Sequence, residues 1–289
     1  MPDPRFTVQK LTARLRELRD CLYLDRLPLA MSWQPGRLTE ANPGHWQPCP
    51  PGTVWGRLDS WAAFKTTATV PATWGHHPVV AVLRLTQDEA GEGLLYRDGR
   101  PHQGIDPHHR EVWLSEAAEP GAEWDLAIDA YTITTGKDRP FALAEASLAV
   151  PDQTARELYY NALVALDAVR LLSEESLERA RLLRTLDRCL LSIDWRGPLG
   201  DAFRASLTAA HDALAEGLRE IPAGDRPRVT AVGHSHIDVA WLWTLAQTRQ
   251  KAARTFTTVL RLMEQYPEYH FTQSQPQLYA FIKEDYPDR

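Results

Sequence analysis

The sequence predicts a multidomain α+β protein, because the spacing of its apolar residues changes repeatedly along the 289-residue chain. Short β-prone runs alternate with turn residues over 57–150, and leucines recur at helical spacing over 152–218. A β-α-β-α order then begins after residue 226. We therefore expect an N-terminal helix and a β-sandwich-like domain, a helical bridge, and then the first β/α units of an incomplete (β/α) barrel-like domain.

The N-terminal segment, residues 1–56, combines a helix with a proline-rich connector. A surface helix is predicted over 5–23 from apolar residues at steps of three and four, namely Val8, Leu11, Leu15, Leu18 and Leu22. Six prolines follow between residues 27 and 56. Because proline lacks a backbone donor, we expect this connector to be irregular.

The β-sandwich-like domain is assigned to residues 57–150. Its predicted strands are 64–70, 79–85, 93–96, 111–114 and 124–131. Asp98-Gly99 predicts a hairpin turn, because glycine tolerates the positive φ that a tight turn between twisted strands requires.

The helical bridge is assigned to residues 151–226, with a last helix that ends near Glu220. Residues 227–289 then begin the final domain, and Asp225-Arg226-Pro227 leads into it. Its predicted elements are a strand at 229–232, a helix at 248–266, a strand at 270–274 and a helix that begins at Pro276. Since a parallel sheet needs more than two strands, we expect this domain to be truncated.

Composition excludes several classes of protein. A net charge of -6 argues against nucleic acid as a partner. No apolar run approaches the roughly 20 residues of a membrane span, and the N-terminus has no apolar signal core. Three well-separated cysteines fit reduced thiols. We therefore expect a cytoplasmic protein that binds neither nucleic acid nor membrane, and a neutral ligand such as a sugar is compatible with its charge.

His234, His236 and Asp238 occupy every second position after a β-prone run. In an extended backbone such side chains project from one side, and imidazole with carboxylate suits a divalent metal ion. The alternative is a polar strand end whose side chains hydrogen-bond loop backbone. Spacing alone leaves both interpretations open.

The residues around this motif extend the pattern. Residues 233–243 read Gly-His-Ser-His-Ile-Asp-Val-Ala-Trp-Leu-Trp, and residues 248–256 read Thr-Arg-Gln-Lys-Ala-Ala-Arg-Thr-Phe. Gln-Ser-Gln and Gln-Leu-Tyr follow at 273–275 and 277–279. The whole run resembles the start of the catalytic domain of family 38 α-mannosidases.

Other residues of the chain favour one branch of that family. Gly-Glu-Gly-Leu-Leu-Tyr at 91–96 and Gln-Gly-Ile-Asp at 103–106 resemble the N-terminal half of the bacterial and cytosolic members. Val239-Ala240 stands where Golgi and lysosomal members have Pro-Gly, which favours the same branch.

The resemblance implies metal-dependent, retaining hydrolysis of α-linked mannose from glycans and oligosaccharides. It assigns His236 and Asp238 as ligands of one divalent ion, zinc with cobalt as the alternative, and Trp241 as a substrate-binding residue. It gives His234 no ligand role, so we expect that side chain to pack or to support the ligands. The family's nucleophile and acid carboxylate are expected beyond Arg289, so no catalytic residue is assigned here and this chain alone is predicted to be inactive.

Two alternatives stay open. A metal-dependent amidohydrolase or phosphoesterase would use both His234 and His236 as ligands. A non-catalytic carbohydrate-binding module would use exposed aromatic residues of the sandwich, with Trp61, Trp74, Trp113 and Trp124 as candidates.

Three further expectations concern packing and assembly. Trp243 is expected to be a core residue. The cations at the start of the predicted helix are expected to be solvated or ion-paired at the surface, namely Arg249, Lys251 and Arg254. A homo-oligomer is a further expectation.

Overall fold

The computed structural model describes residues 4–88, 90–222 and 229–287. The chain divides into two compact units: residues 1–26 with 150–228, and residues 27–149 with 229–289. The predicted lead-in Asp225-Arg226-Pro227 lies outside the described residues. Each compact unit combines two separate segments of the chain, whereas the sequence analysis proposed four consecutive domains. Those domain boundaries therefore stay a prediction.

The described residues of the first unit form four helices, each with an apolar face turned to a shared core. They are α1 (Pro4–Arg19), α2 (Gln153–Leu171), α3 (Leu177–Leu191) and α4 (Asp201–Arg219). The predicted N-terminal helix is confirmed, and it ends at Arg19 because the next residues form a tight turn. The predicted helices of the bridge are also confirmed.

Side-chain caps define where two of these helices begin. The Asp152 carboxylate accepts a hydrogen bond from the Ala155 amide at 3.0 Å, which starts α2. The Ser176 hydroxyl accepts one from the Arg179 amide at 3.0 Å, which starts α3.

Helices α3 and α4 approach closely at one glycine. A methyl group placed on Gly217 would lie 2.5 Å from Cγ2 of Thr185, closer than two carbon atoms can approach. The missing side chain therefore allows the contact that buries Leu186 and Leu207 in this core.

Among the described residues, twelve strands precede the final segment. They are β1 (Tyr23–Pro28), β2 (Ser32–Pro35), β3 (Gln47–Pro48), β4 (Val54–Gly56), β5 (Trp61–Thr69), β6 (Val79–Arg84), β7 (Gly91–Arg97), β8 (Arg100–Ile105), β9 (Glu111–Ser115), β10 (Glu123–Thr132), β11 (Phe141–Ala142) and β12 (Glu145–Pro151). One sheet has six strands in the order β3-β2-β5-β10-β7-β8, and a second has the order β1-β12-β6-β9. The five strands predicted for the sandwich are confirmed as β5, β6, β7, β9 and β10.

The predicted hairpin turn is confirmed between β7 and β8. Asp98 has a φ of 51° and Gly99 a φ of 76°, the two positive values of a tight turn that matches strand twist. Arg97 pairs with Arg100 directly beside it.

The proline-rich segment is more regular than the sequence predicts. It contributes β2 and β3 to the six-stranded sheet, and β2 pairs with β5. Three of its prolines, Pro28, Pro35 and Pro48, are the last residues of strands. A proline at a strand end removes little of the ladder, so the expectation of an irregular connector is wrong over these residues.

The final segment has the order β13 (Gly233–His234), α5 (Leu245–Gln265), β14 (Phe271–Thr272) and α6 (Pro276–Asp285). The two strands pair in parallel, with Gly233 opposite Phe271. The predicted strand at 229–232 is wrong: Val229 and Val232 are exposed, and the ladder begins only at Gly233. A β-prone run forms a stable parallel strand only where neighbours cover it.

None of the helices in the described parts of the chain is long and apolar enough to cross a membrane. The cysteines Cys21, Cys49 and Cys189 are free and buried, and burial raises their pKa.

We expect Leu186→Ala to destabilise the helical unit by roughly 3 kcal/mol, because truncating a fully buried leucine leaves a cavity in a close-packed core. Urea denaturation followed by helical circular dichroism measures this change. Leu191→Ala on the same helix is the control, since Leu191 is exposed and its truncation should change stability little. Equal losses in the two variants would contradict the assigned core.

Candidate metal and sugar site

His236 and Asp238 lie just after β13, where the carboxyl end of a parallel strand commonly carries a binding site. The His236 Nε2 atom is 3.9 Å from the Asp238 Oδ1 atom. Their side chains are 77% and 43% exposed, so this pair faces an open side of the molecule. Residues 235–238 follow the two-residue ladder of β13 and take no part in it, so the two side chains approach outside a paired strand.

The pair suits a zinc-type ion by its chemistry and its separation. Imidazole nitrogen and carboxylate oxygen are both ordinary zinc ligands, and two donors about 2 Å from a tetrahedral ion lie roughly 3.3 Å apart. Small side-chain rotations would close the observed 3.9 Å. Within the residues that the structure describes, no group of three or more His, Cys, Asp and Glu is placed to hold a metal ion. The pair can therefore supply two of the four ligands.

His234 faces a cleft that is separate from the His236–Asp238 pair. It lines a cleft of about 250 Å³ together with Asp106, His109 and Arg254, and neither His236 nor Asp238 lines that cleft. This placement gives no support to a joint metal site for His234 and His236.

Asp106 and His109 form an ion pair in the wall of this cleft. The His109 Nδ1 atom lies 2.9 Å from an Asp106 carboxylate oxygen. Burial opposes ionisation of Asp106, but hydrogen bonds from His109 outweigh it and hold the Asp106 pKa at about 2. The same hydrogen bond raises the pKa of His109.

Trp241 and Trp243 lie in the loop before α5, which begins at Leu245. The Trp241 ring is 67% exposed and meets the Trp243 ring edge to face, with centroids 5.6 Å apart. Trp243 is half-buried, and its Nε1 donates to the Asp238 carbonyl at 3.3 Å and to the Thr248 hydroxyl at 3.1 Å. Trp243 therefore supports the loop, while Trp241 leaves an aromatic face open to a ligand.

Helix α5 packs a polar face against the sandwich. The Thr258 hydroxyl accepts a hydrogen bond from the Gly104 amide at 3.0 Å, and Gln250 donates to the Asp129 carbonyl at 3.0 Å. Gln247 donates to Asp59 at 3.4 Å. These contacts attach α5, the helix that follows the candidate site, to β8, to β10 and to the turn before β5.

A partly buried ion-pair cluster also joins α5 to the sandwich. The Glu92 carboxylate lies 2.7 Å from an Arg254 guanidinium nitrogen and 3.0 Å from Lys251 Nζ. Burial alone would raise the pKa of Glu92, but the charges of Arg254 and Lys251 outweigh it and hold the pKa below its ordinary value. The expectation that Arg254 lies at the surface is wrong, because its stem packs between α5 and the sandwich.

The other basic residue of this group, Arg249, is ion-paired at the surface as expected. Its guanidinium bonds Glu284 at 2.6 Å and also bonds Asp285, both at the end of α6. It also lies 4.4 Å from the centre of the Phe281 ring. These contacts join α5 to α6.

Most of the candidate tryptophans of the sandwich are covered by other residues. Trp74 and Trp124 are buried, and Trp61 is covered by the Arg37 guanidinium and by the Tyr131 ring. Trp113 is half-buried. This packing gives no support to an aromatic sugar-binding face on the sandwich.

Two family models match the chain. Residues 226–289 match the glycosyl hydrolases family 38 N-terminal domain, and residues 28–149 match the α-mannosidase jelly roll domain. Residues 226–289 are therefore part of a family 38 domain. The jelly-roll match includes most of the proline-rich segment, in agreement with the strands found there.

Curated relatives of the chain are α-mannosidases. α-Mannosidase G of Dictyostelium discoideum is 28% identical over 78% of this chain and 21% of its own length. The human α-mannosidase 2C1 is 27% identical over 78% of this chain and 22% of its own length. The Saccharomyces cerevisiae α-mannosidase is 31% identical over 52% of this chain and 14% of its own length. The chain thus spans about a fifth of the first two relatives.

The chain also aligns with solved structures, with low structural similarity. A Faecalibacterium prausnitzii β-glucuronidase aligns with a TM-score of 0.32 at 13% identity, covering 44% of this chain and 32% of its own. That score is too low to support a shared fold.

We expect Gly104→Ala to loosen the attachment of α5 to the sandwich. The added methyl group would lie 2.3 Å from Arg254 Cγ and 3.1 Å from the Arg254 carbonyl, so the helix backbone must move. Stability should fall by roughly 2 kcal/mol, as for other overpacked sites. Gly44→Ala is the control in the same unit, because its methyl group would meet ordinary contact distances. Thermal unfolding compares the two, and equal Tm values would contradict the described packing.

We expect Glu92→Gln to lower stability by roughly 2 kcal/mol at pH 7, because Arg254 and Lys251 lose their shared anion. Since the pKa of Glu92 is lowered on folding, its contribution is present above about pH 4.3 and is lost as pH falls through the folded-state pKa. The difference between variant and wild type should therefore shrink in acid. Urea unfolding at a series of pH values measures it.

The control for this variant is Asp138→Asn, which removes an exposed partner of Arg57. It should leave stability unchanged at neutral pH. A Glu92→Gln effect that does not depend on pH would contradict the ion-pair explanation.

Proposed function

We propose that this chain forms the N-terminal part of an α-mannosidase that removes α-linked mannose from glycans with retention of configuration. The observation that carries the proposal is the approach of His236 and Asp238 at the open end of β13, inside the residues that match family 38. The α-mannosidase relatives support the substrate class. The bacterial or cytosolic branch, a cytoplasmic location and a homo-oligomer are further parts of the proposal.

In this proposal His236 and Asp238 hold one divalent ion, zinc with cobalt as the alternative. When bound, the ion would hold two adjacent hydroxyl groups of the sugar at the cleavage subsite. His236 contributes a neutral imidazole and Asp238 a carboxylate charge that favours a cation. Trp241 offers its exposed ring to the C–H face of the sugar.

The proposal assigns no nucleophile within this chain. Retaining hydrolysis needs two carboxyl groups about 5 Å apart across the scissile bond, and Asp238 is committed to the metal ion. We place the nucleophile, the acid carboxylate and the remaining ligands in residues beyond Arg289. The parallel pair β13 and β14 would then be the first strands of a barrel-like sheet, and this chain by itself would be inactive.

The test measures whether the full-length protein, of which this chain is proposed to be one part, hydrolyses 4-nitrophenyl α-mannoside. We expect cleavage that a chelator abolishes and added zinc or cobalt restores. His236→Ala and Asp238→Ala should each lower kcat/KM by about 10³-fold or more and lower the bound metal, since each removes a direct ligand. A folded, metal-loaded protein without activity on the mannoside would refute the proposal.

His234→Ala is the matched control, and it also separates the alternatives. If His234 only supports the site, its removal should cost at most about 100-fold in activity and leave the metal content near wild type. A loss of metal equal to that of His236→Ala would favour the amidohydrolase or phosphoesterase instead. The isolated 289-residue chain, assayed beside it, should show no hydrolysis.

A further inference from the structure

One buried hydroxyl group joins the two ends of the loop that carries Trp241. Thr248 lies in the first turn of α5 and is fully buried, at 0% exposure. Its Oγ1 atom accepts hydrogen bonds from the Ala240 amide at 3.3 Å and from Trp243 Nε1 at 3.1 Å. It donates to the Thr244 carbonyl at 3.2 Å. A hydroxyl group has one donor and two acceptor sites, so these bonds use all of them.

The bond to Ala240 holds a strained backbone. Ala240 has a φ of 69°, in the left-handed region that is sterically unfavourable for an L-residue. Trp241 is the next residue, so the direction of its side chain depends on this conformation. A partner that binds the Ala240 amide therefore stabilises the backbone that presents Trp241.

The bond to Trp243 holds the other side of the loop. The Trp243 ring is the edge-to-face neighbour of Trp241, and the same Nε1 also reaches the Asp238 carbonyl at 3.3 Å. Thr248 thus bonds the backbone before Trp241 and the ring beside it, and it is linked to the Asp238 carbonyl through the N–H group of Trp243.

The sandwich supports the same loop from outside. The Thr134 hydroxyl donates to the Leu242 carbonyl at 2.5 Å. In the described part of the chain Thr248 is nevertheless the group that contacts both Ala240 and Trp243.

We propose that Thr248 is a positioning residue, which sets the relative placement of Asp238 and Trp241 without touching metal ion or sugar. This proposal rests on the proposed function for its catalytic consequence. Its structural consequence, an ordered 239–244 loop, can be measured independently of activity.

The test compares Thr248→Val with Thr258→Val in the product of the gene. Valine keeps the shape of threonine and removes the hydroxyl. Thr258 is a matched control on the same helix: it is also buried, accepts from the Gly104 amide and donates to the carbonyl four residues before it, but it lies away from the loop. Both variants lose a buried hydroxyl, so a general loss of stability affects both.

We expect amide hydrogen exchange over 239–244 to become at least about 10-fold faster in Thr248→Val and to stay near wild type in Thr258→Val. The value of kcat/KM for the aryl mannoside should fall about 100-fold in Thr248→Val and by no more than about threefold in Thr258→Val. Thr248→Ser, which keeps the hydroxyl, should restore both measurements to near wild type.

Equal exchange over 239–244 in the two valine variants would overturn the proposal, whatever the activity. If the metal-loaded wild type has no activity, the proposed function fails, while the exchange data still decide whether Thr248 orders the loop. If Thr248→Val does not fold, Trp243→Phe removes one donor to the hydroxyl and keeps an aromatic ring. Exchange faster than wild type over 241–243 would then support the proposal, and unchanged exchange would overturn it.

Discussion

The candidate site depends on the attachment of α5 to the sandwich through polar groups that are buried or partly buried. This attachment rests on the Glu92 ion pairs with Arg254 and Lys251 and on the hydrogen bond from Gln250 to the Asp129 carbonyl. Charged groups removed from water are costly unless they are paired, so this contact favours one arrangement over shifted ones. An apolar interface of similar area would allow small displacements more easily.

This attachment fixes the position of the loop before α5. The helix begins with a capping box in which Thr244 and Gln247 bond each other's backbone amides. Gln247 also reaches Asp59 of the sandwich, whose carboxylate accepts the Tyr131 hydroxyl at 3.0 Å. The start of α5 is therefore held both locally and by the sandwich. The sandwich can in this way contribute to the geometry of a neighbouring site.

The sequence predicted most helices and strands, because their periodic apolar residues reflect local geometry. The polar contact of α5 was missed for a physical reason. Gln247, Gln250, Arg254 and Thr258 recur at steps of three and four, and such a polar stripe ordinarily faces solvent. Its partner Glu92 lies 162 residues before Arg254. Local pattern carries no information on a pairing at that distance.

The strand predicted at 229–232 failed for a related reason. A β-prone run reports that a segment fits a covered sheet, but whether neighbouring strands cover it depends on the rest of the fold. His236 and Asp238 were predicted to project from one side, and their side chains lie 3.9 Å apart although both residues follow the β13 ladder. The spacing of two residues was sufficient to predict this proximity, while the assignment of the pair as metal ligands stays a prediction.

At Ala240 a difference of one residue type affects the backbone, because alanine and glycine differ in the φ angles that they adopt easily. Its φ of 69° is a conformation that glycine adopts without steric cost, and glycine is the residue that the Golgi and lysosomal members carry at this position. An alanine at this φ must be stabilised by its surroundings. The Thr248 hydroxyl stabilises it by accepting a hydrogen bond from the Ala240 amide. Val239-Ala240 in place of Pro-Gly thus makes the loop between Asp238 and Trp241 more dependent on the hydrogen bonds that hold it.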